Sequence, residues 1–178
     1  MDWILDRLLP SYDFRTRYAR DIAATPTAVW EALNSVTADE LPLTRLLMRI
    51  RSGGRTRIDG PMARPGLLTD LGQDEGREAV SGAVAKFWRP RPVVGPRETR
   101  DPDVFAAFAE PGWVKAAMSL QLTSTSTGTR LAAETRVKAN DTLSRRRFAP
   151  YWLLIRVGGA GFIRLELLRA VAHRAETH

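Results

Sequence analysis

The chain has no cysteine, two histidines and three lysines among its 178 residues. Without cysteine there are no disulfides, no thiolate nucleophile and no Cys-based zinc site. His173 and His178 are the only histidines, and the second is the last residue. A His-rich metal site or a Ser-His-Asp triad would have to rest on His173 alone, so neither is expected. The apolar runs fall far short of the ~20 residues a membrane-spanning helix needs. The opening Met1-Asp2-Trp3-Ile4-Leu5-Asp6-Arg7 is acidic and its apolar stretch is interrupted, unlike a secretory signal. These absences predict a cytoplasmic protein.

With 44% hydrophobic residues, the chain is long enough for one sizeable core and short for two, so residues 1–178 are expected to form a single domain. The net charge of +7 and pI near 10.7 raise the question of a nucleic-acid partner. The basic residues are almost all arginine, since Lys86, Lys115 and Lys138 are the only lysines. An arginine bias beside abundant Ala, Gly and Pro fits a GC-rich genome. The basic residues are also spread along the chain, with Arg145-Arg146-Arg147 the only triple. No specific nucleic-acid partner is expected.

The pattern begins with alternation. Tyr12, Phe14, Thr16 and Tyr18 fall on one side of a strand over about 12–22, with Asp13, Arg15 and Arg17 on the other. Residues 1–11 read as an N-terminal extension whose helical turn is ended by Pro10. Thr25 suits a helix N-cap and Pro26 the first helical position. Val29, Trp30, Leu33 and Val36 then form one buried stripe. A second helix is expected from Pro42, with Leu43, Leu46, Leu47 and Ile50 at the same spacing. Residues 52–66 read as a Gly/Pro/Arg loop. Strands are expected at 67–71 and 77–88, joined by a turn over Gly72–Gly76, with an irregular proline-rich stretch over 89–102. Asp101-Pro102 caps a short helix through Phe105 and Phe108. Val114, Ala116, Met118, Leu120 and Leu122 alternate with polar residues. The run 123–129 reads as a hairpin loop, and the strand 130–139 points Leu131, Ala133, Thr135 and Val137 inward. The segment 142–176 is helical, with a kink or restart at Pro150 and a break at Gly158-Gly159-Ala160-Gly161. That glycine run follows a helix and lacks G-x-G-x-x-G spacing, so it is no dinucleotide loop. No cofactor is implied.

This order, with the ATPTAVW helix entry, Phe87-Trp88 at a strand end, the Pro111-Gly112 turn, the ETRV strand (134–137) and the RRRFAPYW helix (145–152), resembles the START/Bet v 1-like superfamily. Its bacterial polyketide cyclase/SRPBCC branch is the nearest. The resemblance runs from about Tyr12 to Glu176. It implies an α+β helix-grip fold, in which a curved seven-stranded antiparallel sheet wraps a long, here broken, C-terminal helix. It also implies a pocket for a small hydrophobic molecule, such as a lipid or polyketide, between that helix and the sheet. No residue set matches the superfamily's catalytic members, so enzymatic activity is not carried over.

Trp30, Trp88, Phe108, Met118, Leu120, Thr135, Tyr151, Trp152, Arg164 and Leu168 are the expected pocket residues, because a pocket needs apolar walls and a few polar anchors. Arg164 stands out. It projects near the middle of the apolar face formed by Leu165, Leu167, Leu168, Val171, Ala172 and Ala175, while Glu166, Arg169, His173 and Glu176 lie opposite. An inward guanidinium needs a partner: an anionic or carbonyl group of a ligand, a carboxylate such as Glu78 or Glu134, or water at the helix start. Glu78 and Glu134 would serve as a catalytic acid–base pair only if the fold brought them together. Two rival functions follow. One is an aromatase/cyclase-like dehydratase. The other is a lipid carrier in transient contact with anionic membranes through loops 51–64 and 89–100, with Trp3, Ile4 and Leu5 as a wedge. The oligomeric state is not encoded in any recognisable pattern.

Overall fold

The computed structural model describes residues 2–46, 68–157 and 160–177. The predicted loop over 52–66, Leu47 and Ile50 of the second helix, and Gly158-Gly159 lie outside these residues.

The chain runs α1 (Ile4–Leu8), β1 (Phe14–Ile22), α2 (Pro26–Ser35), a 3₁₀ turn (Ala38–Glu40) and α3 (42–46). It continues through β2 (Thr69–Asp74), β3 (Glu78–Lys86), β4 (Val93–Val94), a second 3₁₀ turn (Arg97–Arg100) and α4 (Pro102–Ala107). The long hairpin β5 (Val114–Thr125) and β6 (Gly128–Ala139) leads into α5 (Thr142–Val157) and α6 (Ala160–Thr177). The architecture is α+β. Among the described residues the open antiparallel sheet has six strands rather than seven, ordered β1-β6-β5-β3-β2 with β4 also beside β3.

Local chemistry sets the boundaries. The Thr25 hydroxyl accepts from the Ala28 N–H, with Pro26 at the first turn. Asp101 caps α4 by accepting from the N–H groups of Asp103 and Val104. Asp141 accepts both the N–H and the hydroxyl of Ser144, plus the N–H of Gly112. It thereby ties the start of α5 to the turn before β5.

Some expectations shift. Gly72, Gln73 and Asp74 belong to β2, and the turn is confined to the residues after Asp74, with a register shift between Asp70 and Gly72. Most of 123–129 is strand, because Gly128 (φ +149°) permits a two-residue connection. A Cβ on Gly128 would fall 2.2 Å from the Ile22 carbonyl oxygen. Val93-Val94 forms a short strand inside the proline-rich stretch. α5 runs through Pro150, whose missing N–H is tolerated on an exposed side of the helix. Leu43 and Leu46 are exposed rather than part of a buried stripe.

The sheet is covered on both sides. On its inner face, α2 and α6 bury Ile22, Trp30, Leu33, Leu120, Leu131 and Leu168. α5 adds Phe148 and Trp152, whose rings lie 5.2 and 5.7 Å from that of Phe14. On the outer face, α1 and α4 bury Leu5, Leu8, Leu71, Val80, Phe105 and Ala117. Each fully buried leucine contributes about 1.5–3 kcal/mol, so the short N-terminal segment is a substantial part of the fold.

Candidate functional site

Alternation along β1 and β6 directs Thr16, Tyr18 and Thr135 to the inner face, where register places Thr16 opposite Thr135. The first turns of α6 cross this spot. A Cβ at Gly161 would lie 2.8 Å from the Tyr18 hydroxyl, so glycine lets the helix close onto β1. Arg164, one turn on, points at the sheet, and its Nε and Nη2 donate to the Thr135 hydroxyl at 3.2 and 2.8 Å. Burial pulls the Arg164 pKa below its ordinary value, and the charge interaction with Tyr18 opposes that shift. The guanidinium remains the cation of the site, since arginine stays protonated.

The space left between these groups is small. A cavity of about 10 Å³ is bounded by Thr16, Tyr18, Trp152, Ile155, Arg156 and Arg164, among others. That is room for about one water molecule. The Thr16 hydroxyl oxygen is buried there without a hydrogen-bond partner, a condition that ordinarily costs about 1–3 kcal/mol. The helices therefore rest on the sheet, and no hollow for a guest is open at this position. A larger, open hollow of about 90 Å³ lies elsewhere, lined in part by Thr69, Val84, Val94 and Arg100. It is on the flank where β2 and β4 succeed each other along β3.

Nine of the ten expected pocket residues divide into three groups. Thr135 and Arg164 meet directly, and Met118 lies across the strand pair from Thr135. Trp30, Leu120 and Leu168 belong to the core under α2 and α6. Trp88, Tyr151 and Trp152 join the aromatic cluster around Phe148. Phe108 is misplaced by the sequence reading: it packs on the outer face against Trp113 at 6.4 Å, because α4 crosses that side of the sheet.

Glu78 and Glu134 lie on the outer face, for Glu134 as strand alternation over 130–139 placed it, so neither pairs with Arg164. They flank Ser119, which is in register with Glu134 and donates its hydroxyl to Glu78 at 2.5 Å. Glu78, 1% exposed, also accepts from the N–H groups of Ile4 and Leu5 and from Gln121. Glu134 binds Arg15 and Arg136, and Arg136 in turn holds Asp6 and the Leu9 carbonyl. Burial opposes ionisation of Glu134, but its hydrogen bonds from Arg15 and Arg136 prevail and hold its pKa below the usual carboxylate range. Both carboxylates thus fasten the N-terminal segment and are buried beneath it. Of the three residues expected as a membrane wedge, Leu5 is fully buried, and Trp3 lies under Arg77 at 4.9 Å.

Sequence reasoning did not single out Lys115, one of the polar residues that alternate with Val114 and Ala116. α4 covers it, leaving it 7% exposed, and its ammonium donates to the Ala106 carbonyl at 2.8 Å. Strand alternation does not announce that the preceding helix, α4, folds back as a roof over this face. His173 is exposed, as its helix face predicted. Among the described residues no cluster of His, Asp and Glu could hold a metal ion. No helix among them is long and apolar enough to cross a membrane.

No protein-family model matches the chain, and neither does any curated protein. Solved structures show a loose likeness. A protein from Mesorhizobium loti is 14% identical with a TM-score of 0.43, covering 92% of this chain and 98% of its own. One from Chromobacterium violaceum is 12% identical at TM-score 0.42, covering 91% and 97%. A third, from Rhodobacter sphaeroides, is 19% identical at 0.34, covering 89% of each chain. All three are structural-genomics targets whose descriptions state no function.

Proposed function

We propose that this is a START/Bet v 1-like binding protein for a small molecule with an apolar body and an oxygen-bearing polar group. The ligand lies between the inner face of the sheet and α5–α6, with Arg164, Thr135 and Thr16 as its polar anchor. The carrying observation is the buried Thr16 hydroxyl without a partner, beside a partly buried guanidinium held by a second hydroxyl. A carboxylate, phosphate or carbonyl oxygen entering there would satisfy Thr16 and strengthen the site's hydrogen bonding. Neither the guanidinium nor the hydroxyls titrate near neutrality, which favours binding over proton-transfer chemistry.

The present space accepts about one water, so a larger ligand enters only as α5 or α6 lifts from the sheet. α5 is suited to this. Pro150 removes one of its backbone hydrogen bonds, and much of its outer side already faces water.

Native mass spectrometry of the purified protein should reveal a co-purified molecule. A fluorescent fatty acid should bind, with affinity reduced roughly 10-fold or more in Arg164→Leu, because a charged hydrogen bond is lost. Unchanged affinity in Arg164→Leu would remove the anchor from the proposal.

A second reading, a lipid carrier touching anionic membranes, has its own support. Arg146, Arg147, Pro150, Leu153 and Leu154 are all exposed on one side of α5, and Phe162 is exposed early in α6. A basic rim beside apolar residues suits an anionic interface. Binding to anionic vesicles that is insensitive to both salt and Leu153→Ser/Leu154→Ser would count against this reading.

A further inference from the structure

Of the 27 basic residues three are lysines, and the fold brings all three to one end of the sheet's outer face. Lys138 lies directly opposite Lys115 in the β5–β6 ladder. Val84 lies opposite Lys115 on the other side, and Lys86 is the next residue on that face of β3. Side chains directly opposite are about 5 Å apart at Cβ, and diagonal ones about 7–8 Å. Like charges so placed repel. Among the described residues, none of the three lysines takes part in an ion pair.

The next basic residue on the same face is treated differently. Arg136 has Glu134 and Asp6 as counter-charges. Of the nearby acids, Asp141 is committed to the Gly112 N–H and Ser144. Two of the ammonium groups instead lie against neutral or aromatic partners. Lys115 donates to the Ala106 carbonyl, while Lys86 sits 4.5 Å from the centre of the Trp113 ring. Burial, and then the charge of Lys138, lower the pKa of Lys115. A buried lysine beside another, without a carboxylate, costs stability that an apolar residue of similar length would not.

We propose that Lys86, Lys115 and Lys138 form an anion site for a phosphate or pyrophosphate group, on the opposite face of the sheet from Arg164. A multiply charged oxyanion between Lys86 and Lys138 removes their repulsion from each other and from Lys115, and ammonium groups serve phosphate as point charges. Trp113 forms a wall and gives the site an optical signal. The site is independent of any ligand beneath α5 and α6.

The test is calorimetric titration of the full chain at low salt with inorganic pyrophosphate and with a monomeric short-chain phosphatidic acid, followed in parallel by tryptophan fluorescence. Saturable binding is expected, with affinity lowered at least ~10-fold by Lys86→Met or Lys138→Met and unchanged by Arg169→Ala on the exposed face of α6. Lys115→Met should also lose affinity while unfolding at an equal or higher denaturant concentration. Lys86 and Lys138 are only half-buried, so their variants keep the test valid if Lys115→Met fails to fold. Binding of pyrophosphate identifies a soluble phosphate ligand; binding of phosphatidic acid alone identifies a lipid headgroup. The proposal is overturned if neither probe binds, or if Lys86→Met and Lys138→Met bind as the unaltered chain does.

Discussion

At the scale of single residues, the buried charges divide by purpose. Glu78 has four donors around it, two of them backbone N–H groups of α1. Glu78→Ala leaves those donors unsatisfied and should cost about 2–4 kcal/mol in urea unfolding, with Glu78→Gln costing less because an acceptor oxygen remains. An unaltered midpoint in Glu78→Ala would mean that α1 is held by apolar contact alone. Glu134 carries a pH signature. Its folded pKa lies below the ordinary 4.5, so the stability it provides is complete above that value. That contribution is lost as pH falls through the lower, folded value. Asp141, lowered to about 2, behaves likewise. Acid unfolding curves should therefore steepen below pH 4.5, and Glu134→Gln should flatten that limb. An acid limb identical in Glu134→Gln would assign the loss to other carboxylates.

At the scale of elements, caps and glycines fix where segments start and stop. Thr25→Ala removes the α2 cap and should lower stability by about 1 kcal/mol, measured by thermal or urea unfolding. Gly128→Ala should cost more, since its new methyl group would be driven into the Ile22 carbonyl; a change under ~0.5 kcal/mol would imply that the hairpin shifts to accept it. The elements themselves were legible where a short-range rule governed them. Thr25-Pro26, the alternation of β5 and β6, and the Asp101 cap all appear in the sequence. Turn lengths were not, because the polar Ser/Thr run is compatible with strand once Gly128 sets the connection. Phe108 was misplaced and Lys115 passed over for a single reason: periodicity separates two sides of a strand but does not say that α4 covers the second side. The inward aim of Arg164 was readable from helix spacing, whereas its hydroxyl partner depended on strand register.

At the scale of the whole molecule, two layers of helix on one sheet explain why an alternation that looks half-exposed is buried on both sides. Deleting residues 1–12 would uncover Leu71, Val80 and Ala117 and strip Arg136 of Asp6 and the Leu9 carbonyl. The shortened chain should be insoluble or markedly less stable, and an unaltered melting temperature would make the N-terminal segment dispensable. Hydrogen exchange should also separate the layers. Amides of β5 and β6, central in the sheet, should be the slowest, and those of α5 beyond Pro150 the fastest within the long helices. Uniform protection across α5 and β6 would argue against the proposed lifting of α5 from the sheet.

The clasp of the N-terminal segment on the outer face also bears on how the chain is made. Leu9 precedes its partner Arg136 by 127 positions. On the ribosome, Leu5, Leu8 and Leu9 must therefore wait until most of the sheet has been synthesised before they find shelter. During that interval their apolar side chains are uncovered, and docking of this segment becomes a late step in folding.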